Sequence, residues 1–178
     1  QVGRMISLLS LPIETPGSTV NRFCGSGIDT IATATARIQS GMMDCIIAGG
    51  VESMSLVPMT GWKLAPNYMI AKNNPNYYLG MGLTAEELAK DFKISREEQD
   101  LFSYKSHQKA VNAINNGYFK DQIVPIEVEQ VYVEGNKKKT KKFIVDTDER
   151  PRADTTIEAL AKLKPVFAEK GTVTAGNS

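Results

Sequence analysis

The sequence predicts an α/β protein, and two observations lead to this fold class. Residues 18–21 are β-prone, and residues 45–48 form a continuous apolar run of the kind found in strands that are covered on both faces. The segment between these runs has helical spacing. A strand, a helix and a strand within about 30 residues predict a right-handed parallel crossover.

The helix of this unit is predicted from apolar side chains that recur on one helical face. These positions are Ile28, Ile31, Thr35 and Ile38. Gly41 is a typical residue for the end of such a helix. A turn of small residues, Cys24-Gly25-Ser26-Gly27, precedes it.

The rest of the chain mixes helices with a hairpin, which predicts an α+β region. Residues 58–78 lack a clear period, and we interpret them as a long loop. Capping boxes predict three helix starts, at Thr84, Ser95 and Thr155. The second of these helices is predicted to stop at Gly117, and a hairpin turn is predicted at Gly135-Asn136. Residues 172–175 are strand-like.

Composition argues against several kinds of protein. Lys and Arg number 21 and Asp and Glu 20, so the net charge of +1 argues against nucleic-acid binding by bulk electrostatics. No apolar run approaches the length of about 18 residues that suggests a membrane span. The two cysteines are too few for a disulfide framework and are interpreted as reduced thiols, and no metal site is expected. The chain starts without Met and stops directly after a strand-like segment, and we interpret it as part of a longer protein.

Cys24 is the candidate nucleophile. It is predicted to lie where a strand gives way to a helix, so that the first N–H groups and the positive end of the helix dipole point toward the sulfur. This placement favours the thiolate, which is the nucleophilic form of cysteine. Gly25 and Gly27 leave room for a substrate carbonyl, and the same N–H groups could hold a developing oxyanion. The residue types alone leave an ordinary alternative open, a small buried core residue.

Four motifs, in order along the chain, resemble the thiolase family. Val20-Asn21-Arg22-Phe23-Cys24-Gly25-Ser26-Gly27 is similar to its nucleophile motif, and Gly49-Gly50-Val51-Glu52-Ser53-Met54-Ser55 resembles its second signature. Met81-Gly82-Leu83-Thr84-Ala85-Glu86 resembles the start of the loop-domain helix. Gly171-Thr172-Val173-Thr174-Ala175-Gly176-Asn177-Ser178 resembles the strand that returns to the core. The resemblance implies the first half of the layered α/β/α/β/α thiolase fold, with an inserted α+β loop domain.

The resemblance also implies domain boundaries and an assembly. Residues 1–56 would form the amino-terminal half of the core, 57–170 the inserted loop domain that covers the CoA site, and 171–178 the strand returning to the core. The intact protein would be a homodimer or homotetramer. A cytoplasmic location of the bacterial type is expected, and mitochondrial and peroxisomal locations stay open because we interpret the natural start as absent.

The activity that the resemblance implies is acyl transfer to and from CoA through a thioester on Cys24. In thiolases the cysteine attacks a 3-ketoacyl-CoA, acetyl-CoA leaves, and a second CoA removes the shortened acyl group; the reverse direction is a Claisen condensation. CoA is then a co-substrate, and no permanently bound cofactor is expected. The family also uses a histidine in a Gly-His-Pro motif and a second cysteine in a Cys-x-Gly-Gly motif, and this chain contains neither motif. The 178 residues alone are therefore expected to be inactive.

Four residues resemble family positions that contact CoA. Met81 is similar to a methionine near the pantetheine arm, and Arg152 to an arginine at the nucleotide end, where a planar cation suits stacking and phosphate. Phe167 and Ala175 resemble further pocket-lining positions. The acetoacetyl-specific branch carries His-Met-Gly where this chain has Gly80-Met81-Gly82, and this departure favours longer substrates and a β-oxidation role.

Three other polar or thiol residues are interpreted as structural. His107 is expected to be a surface or packing residue of a helix, Cys45 an inert core thiol, and Glu52 a structural carboxylate. Two alternatives to a thiolase stay open. One is a condensing enzyme similar to ketoacyl synthases, which share the fold and a cysteine at a helix start. The other is a catalytically incomplete CoA-binding or assembly fragment.

Overall fold

The computed structural model describes residues 1–178 and divides into two compact units, Gln1–Ala65 and Pro66–Ser178. Each unit is described by itself. The first contains two helices, α1 (Val2–Ser10) and α2 (Ser26–Gln39). The predicted helix of the crossover is therefore confirmed as α2, and Gly41 follows it in the left-handed region at φ +72°.

The two strands predicted on either side of α2 are wrong. Neither 18–21 nor 45–48 is a strand, and no backbone–backbone hydrogen bond involves residues 45–48. An apolar run becomes a strand only where a neighbouring strand supplies partners for its N–H and C=O groups. No such neighbour lies in this chain, whose one sheet is the hairpin of the second unit. Cys45 is consequently exposed, which corrects its interpretation as a core thiol.

The second unit contains four helices, a short 3-10 helix and a two-stranded antiparallel sheet. In chain order these are α3 (Tyr68–Asn73), the 3-10 helix (Pro75–Tyr78), α4 (Met81–Asp91), α5 (Arg96–Asn115), β1 (Ile126–Glu134), β2 (Lys137–Val145) and α6 (Ile157–Ala161). The predicted loop over 58–78 is thus partly wrong, because the side chain of Asn67 caps α3 by accepting N–H groups of its first turn.

The hairpin and the longest helix follow the prediction. Ile126 pairs with Val145 and Glu134 with Lys137, and the turn between the strands contains Gly135 at φ +62°. Ser95 and Glu98 form a complete capping box at the start of α5. Positive φ at Gly135, in the hairpin turn, and at Gly117, just after α5, lets the chain reverse without a Cβ clash.

Two predicted helix starts and one predicted strand need correction. Helix α4 begins at Met81 rather than Thr84, whose hydroxyl instead donates to the carbonyl of Gly80 within the first turn. Helix α6 is capped by Thr156, one residue later than predicted. The Thr156 hydroxyl accepts the N–H of Ala159 at 3.1 Å. Residues 172–175 form no strand; Thr174 makes a single antiparallel bridge with Pro165. The predicted return of 171–178 to the core stays a prediction.

Little of the apolar surface is buried. The buried apolar side chains are Ala89, Leu160 and Val173, all in the second unit. The accessible surface is 15258 Å², whereas a folded monomer of 19.5 kDa is expected to expose about 8,500 Å². The apolar face of α2 is among the exposed surface, since Ile28 is 78% exposed and Ile31 60%. None of the helices is both long and apolar enough to cross a membrane.

Candidate functional site

Cys24 lies in a tight turn immediately before α2. The side chain of Asn21 accepts the N–H of Phe23 at 3.0 Å, so the turn starts with a local side-chain bond. The hydroxyl of Ser26 accepts the N–H of Arg22 at 2.8 Å and donates to the carbonyl of Phe23 at 2.7 Å. These bonds hold the backbone on both sides of Cys24, and its side chain is exposed to solvent.

Phe23, the residue before Cys24, has a left-handed backbone at φ +49°. This conformation is unfavourable for a bulky L-residue and costs roughly 1–3 kcal/mol. The Asn21 and Ser26 side chains, which bond its N–H and its carbonyl, fix it in place. Backbone strain of this kind is typical of functional turns, and the next residue in the chain is the exposed Cys24.

The first turn of α2 has unoccupied N–H groups. The N–H groups of Gly25 and Ser26 bond to the carbonyls of Arg22 and Phe23 within the turn. Those of Gly27 and Ile28 make no hydrogen bond, and the N-cap residue supplies no side-chain bond to them. Free N–H groups at a helix start can bind an anion or an oxyanion, and these two lie three and four residues after Cys24 in the chain.

In the second unit, α4 contacts the segments that carry two of the predicted CoA-binding residues. The ring of Phe167 lies directly over Gly82, next to Met81, and a Cβ at Gly82 would overlap the ring atoms. One turn later, Glu86 contacts the backbone of 171–173, the segment that leads to Ala175. Three of the four predicted CoA-binding residues are therefore on α4 or on segments that pack against it.

Glu86 binds the backbone of the last segment at several points. Its carboxylate accepts the N–H of Thr172 at 3.0 and 2.9 Å, the N–H of Val173 at 2.8 Å and the hydroxyl of Thr172 at 3.2 Å. Partial burial raises the pKa of Glu86, but these hydrogen bonds from Thr172 and Val173 outweigh it and hold the pKa below its usual value. Gly171 is required here because a Cβ would overlap the Glu86 carboxylate.

A buried ion pair holds the other side of the same segment. Asp100, which is 2% exposed, pairs with Arg96 at 2.9 Å and accepts the side-chain N–H of Asn177 at 2.8 Å. The Asn177 side chain in turn accepts the N–H of Thr174 at 2.7 Å and closes the turn that contains Ala175. Each charge and amide in this set has a partner, which is the condition for burying such groups without a large penalty.

Arg152 is bonded to the middle of α5. Its backbone N–H donates to Nδ1 of His107 at 3.1 Å, and its exposed guanidinium lies 3.6 Å from Asp154. A cavity of about 230 Å³ lies beside this bond and is lined by His107, Ser103, Ser106, Phe102 and residues 176–178. His107 is half-buried and makes a specific backbone contact in addition to its place in the helix.

Sequence reasoning predicted the turn that contains Cys24 and the helix after it, but missed Phe23, Glu86 and Asp100. Nothing in the sequence marked Phe23 for a left-handed backbone. Glu86 and Asp100 resemble ordinary helix-surface carboxylates, and Gly171 before a strand-like segment was the one available signal for a close approach. Their partners lie more than 70 residues away in the sequence.

Known sequences resemble this chain over nearly all of its length. The family described as "Thiolase, N-terminal domain" matches residues 3–178. A protein named 3-ketoacyl-CoA thiolase from Bacillus subtilis is 48% identical over 173 residues, which cover 97% of this chain and 44% of that protein. The chain thus spans less than half the length of this curated relative.

Two solved structures resemble the fold. The dimeric peroxisomal thiolase of Saccharomyces cerevisiae superposes with a TM-score of 0.81 at 36% identity, over 98% of this chain and 43% of that one. The acetyl-CoA acetyltransferase of Bacillus anthracis gives a TM-score of 0.78 at 38% identity, over 98% of this chain and 45% of that one. Both superpositions match this chain to part of a larger protein.

Proposed function

The chain belongs to the thiolase family, as its amino-terminal domain, and we propose that Cys24 accepts the acyl group in a thiolase reaction of the full-length protein. The observation that carries the proposal is the turn before α2. It presents an exposed thiol three residues before the first of two N–H groups, of Gly27 and Ile28, that lack hydrogen-bond partners.

The proposed reaction has two steps. The Cys24 thiolate attacks the 3-keto carbon of a 3-ketoacyl-CoA, the bond between the α and β carbons breaks, and the α carbon takes up a proton to leave as acetyl-CoA. The thiolate of a second CoA then attacks the thioester on Cys24 and releases a shortened acyl-CoA. A covalent intermediate of this kind divides one difficult step into two easier ones. The reverse sequence is a Claisen condensation.

The chain's own residues would assist the first step through the helix start. Negative charge develops on the carbonyl oxygen under attack, and preorganised N–H donors stabilise it more than water does. Gly27 and Ile28 offer two such donors, and the helix dipole adds a favourable field. This chain does not supply the groups that transfer protons in the family, because it has neither a Gly-His-Pro nor a Cys-x-Gly-Gly sequence.

We assign CoA contacts to the second unit, with CoA as a co-substrate. Met81 and Phe167 would contact the pantetheine arm together with Ala175, and Arg152 the nucleotide. The packing of Phe167 on Gly82 supports the grouping of the first two. The Arg152 guanidinium is 70% exposed and pairs only with Asp154, so it is free to meet a phosphate or an adenine ring.

The proposals for domain boundaries, assembly, location and substrate length extend the family match. We propose the domain division 1–56, 57–170 and 171–178, a homodimer or homotetramer of the full-length protein, and a cytoplasmic location. The dimeric description of the yeast structure supports the assembly, whereas the location rests on the sequence expectation, and the yeast protein is described as peroxisomal. We further propose 3-ketoacyl-CoA substrates longer than acetoacetyl-CoA, which the Gly80-Met81-Gly82 sequence favours.

The test is to trap the acyl-enzyme. The full-length protein is the complete gene product or, where the gene encodes only these residues, this chain joined to the carboxy-terminal half of the Bacillus subtilis relative. It is incubated with acetoacetyl-CoA or a longer 3-ketoacyl-CoA, quenched in acid and mapped by peptide mass spectrometry. We expect one acyl group on the peptide that contains Cys24, which fresh CoA removes. Acylation of another residue, or no acylation while substrate is consumed, would overturn the proposal.

A further inference from the structure

One face of α5 is bonded to two segments that are distant in the sequence. Arg96, Asp100, Ser103 and His107 follow one another at intervals of four, three and four residues, so they lie on the same side of the helix. Asp100 accepts the side chain of Asn177 at 2.8 Å, and His107 accepts the backbone N–H of Arg152 at 3.1 Å. Both partners belong to segments that the proposed function assigns to CoA.

Hydrogen bonds of Asp100 and Arg96 fix this face of α5 against its neighbours. Asp100 is buried and paired with Arg96, whose guanidinium also donates to the carbonyls of Leu160 and Leu163 at 2.7 and 2.9 Å. The helix therefore has a fixed position relative to α6 and to the last segment. A residue two turns further along the same face, such as His107, is held by the same helix.

The bond from Arg152 to His107 is the only hydrogen bond between residues 146–154 and another element of the chain. The other polar contacts of that segment are local: Thr147 with Asp146, Arg152 with Asp154, and the carbonyl of Arg152 with the N–H of the adjoining Thr155. An exposed ion pair such as Arg152–Asp154 contributes little to order. The His107 bond therefore fixes the position of the Arg152 backbone, from which the side chain extends.

We propose that His107 is a positioning residue for the nucleotide end of CoA, acting through the backbone of Arg152. This inference rests on the proposed function. Nδ1 of His107 accepts, which places the ring proton on Nε2, and the fixed backbone lowers the entropy that the Arg152 side chain loses when it binds a phosphate or adenine. His107 has no part in the chemistry at the thiol.

The experiment compares three single variants, and the double variant of His107→Phe with Arg152→Ala, in the full-length protein. His107→Phe keeps a planar ring but removes the acceptor, His107→Asn keeps an acceptor oxygen at the δ position, and Arg152→Ala removes the guanidinium. The three residues at position 107 have similar helix propensities, so the helix itself is little affected. Thiolysis is measured with CoA and with pantetheine, which has the thiol arm but no nucleotide.

We expect His107→Phe to raise KM for CoA about three- to tenfold, as loss of one hydrogen bond does, with kcat within about twofold of wild type. KM for pantetheine should be unchanged, and His107→Asn should restore the CoA value. In an Arg152→Ala background, His107→Phe should have no further effect, because the two residues act as one unit.

An equal rise in KM for pantetheine, a fall in kcat alone, or no change in KM for CoA would each overturn the inference. Additive effects of the two substitutions would do so as well.

Calorimetric Kd values for CoA and pantetheine give the same comparison without turnover. A protein that binds CoA with the expected His107 dependence but forms no acyl-enzyme would refute the proposed activity and leave this inference standing. Absence of CoA binding would overturn the inference directly.

Discussion

Both carboxylate oxygens of Glu86 accept the backbone N–H of Thr172, at 3.0 and 2.9 Å, across 86 residues of sequence. With the bond to Val173 at 2.8 Å, one side chain of α4 binds two successive N–H groups of the segment that leads to Ala175. The arrangement needs an ionised carboxylate, since a protonated or amide group accepts fewer of these bonds. Stability should therefore depend on this residue and on pH.

We predict that Glu86→Gln lowers the free energy of unfolding of the full-length protein by about 1–3 kcal/mol near neutral pH. The folded-state pKa of Glu86 is lowered, so its stabilisation is present above 4.5 and is lost as the pH falls through the folded pKa. In urea unfolding, the difference between wild type and variant should shrink below that pH. Glu87→Gln is the control, because its carboxylate is exposed and lies 3.9 Å from Lys90. A difference that does not change with pH would refute the role of ionised Glu86.

Cys24 should react with iodoacetamide faster than Cys45 in the native protein. Both thiols are exposed, so burial does not distinguish them. The expected difference rests on the position of Cys24 in the turn that starts α2, a position that Cys45 does not have. Peptide mapping after brief alkylation measures the two rates, with alkylation in urea as the reference. Equal labelling, or faster labelling of Cys45, would count heavily against the nucleophile assignment.

Cys24→Ser in the full-length protein should abolish thiolysis while acyl-CoA binding persists. A serine hydroxyl is nearly isosteric with the thiol but is a far poorer nucleophile at neutral pH. Steady-state thiolysis and calorimetric binding are the two measurements, and Cys45→Ser is the matched control, which should keep its activity. Turnover within about tenfold of wild type, a barrier change of only about 1.4 kcal/mol, would exclude a covalent mechanism through Cys24.

The left-handed backbone of Phe23 should make this position sensitive to branching at Cβ. Phe23→Val is expected to destabilise the turn by about 1–2 kcal/mol and to slow alkylation of Cys24, because a β-branched residue resists positive φ. Phe23→Asn should be tolerated, since asparagine adopts this conformation readily. The alkylation rate of Cys24 and urea unfolding report the two effects. Equal behaviour of the two variants would show that φ at Phe23 does not control the turn.

The 178-residue chain alone should show no thiolase activity and should self-associate. It lacks the two proton-transfer motifs, and general acid–base groups typically contribute about 10²–10⁴-fold. Its exposed apolar side chains include Ile28, Leu56 and Trp62, and large exposed apolar surfaces promote association. Thiolysis assays and size-exclusion chromatography with light scattering test both points, with the full-length protein as reference. A monodisperse monomer with measurable turnover would contradict the prediction.

Local sequence determined the elements whose hydrogen bonds close within the element. Helices α2 and α5 and the hairpin of β1 and β2 follow from apolar spacing, the Ser95 capping box and a glycine turn, because each needs partners only a few residues away. The same holds for the position of Cys24 directly before a helix. The motif order also determined the family, since four weak motifs in sequence are jointly specific.

Only the tertiary structure decided which segments become strands and which carboxylates matter. The apolar run 45–48 has strand composition but no strand, because its partners would have to come from elsewhere. Glu86, Asp100 and His107 each bind a residue at least 45 positions away, and no local pattern encodes such a partner. Helices and turns depend on residues that are neighbours in the sequence. The contacts of Glu86, Asp100 and His107 form only when the chain closes long loops, and sequence patterns do not reveal the entropic cost of that closure.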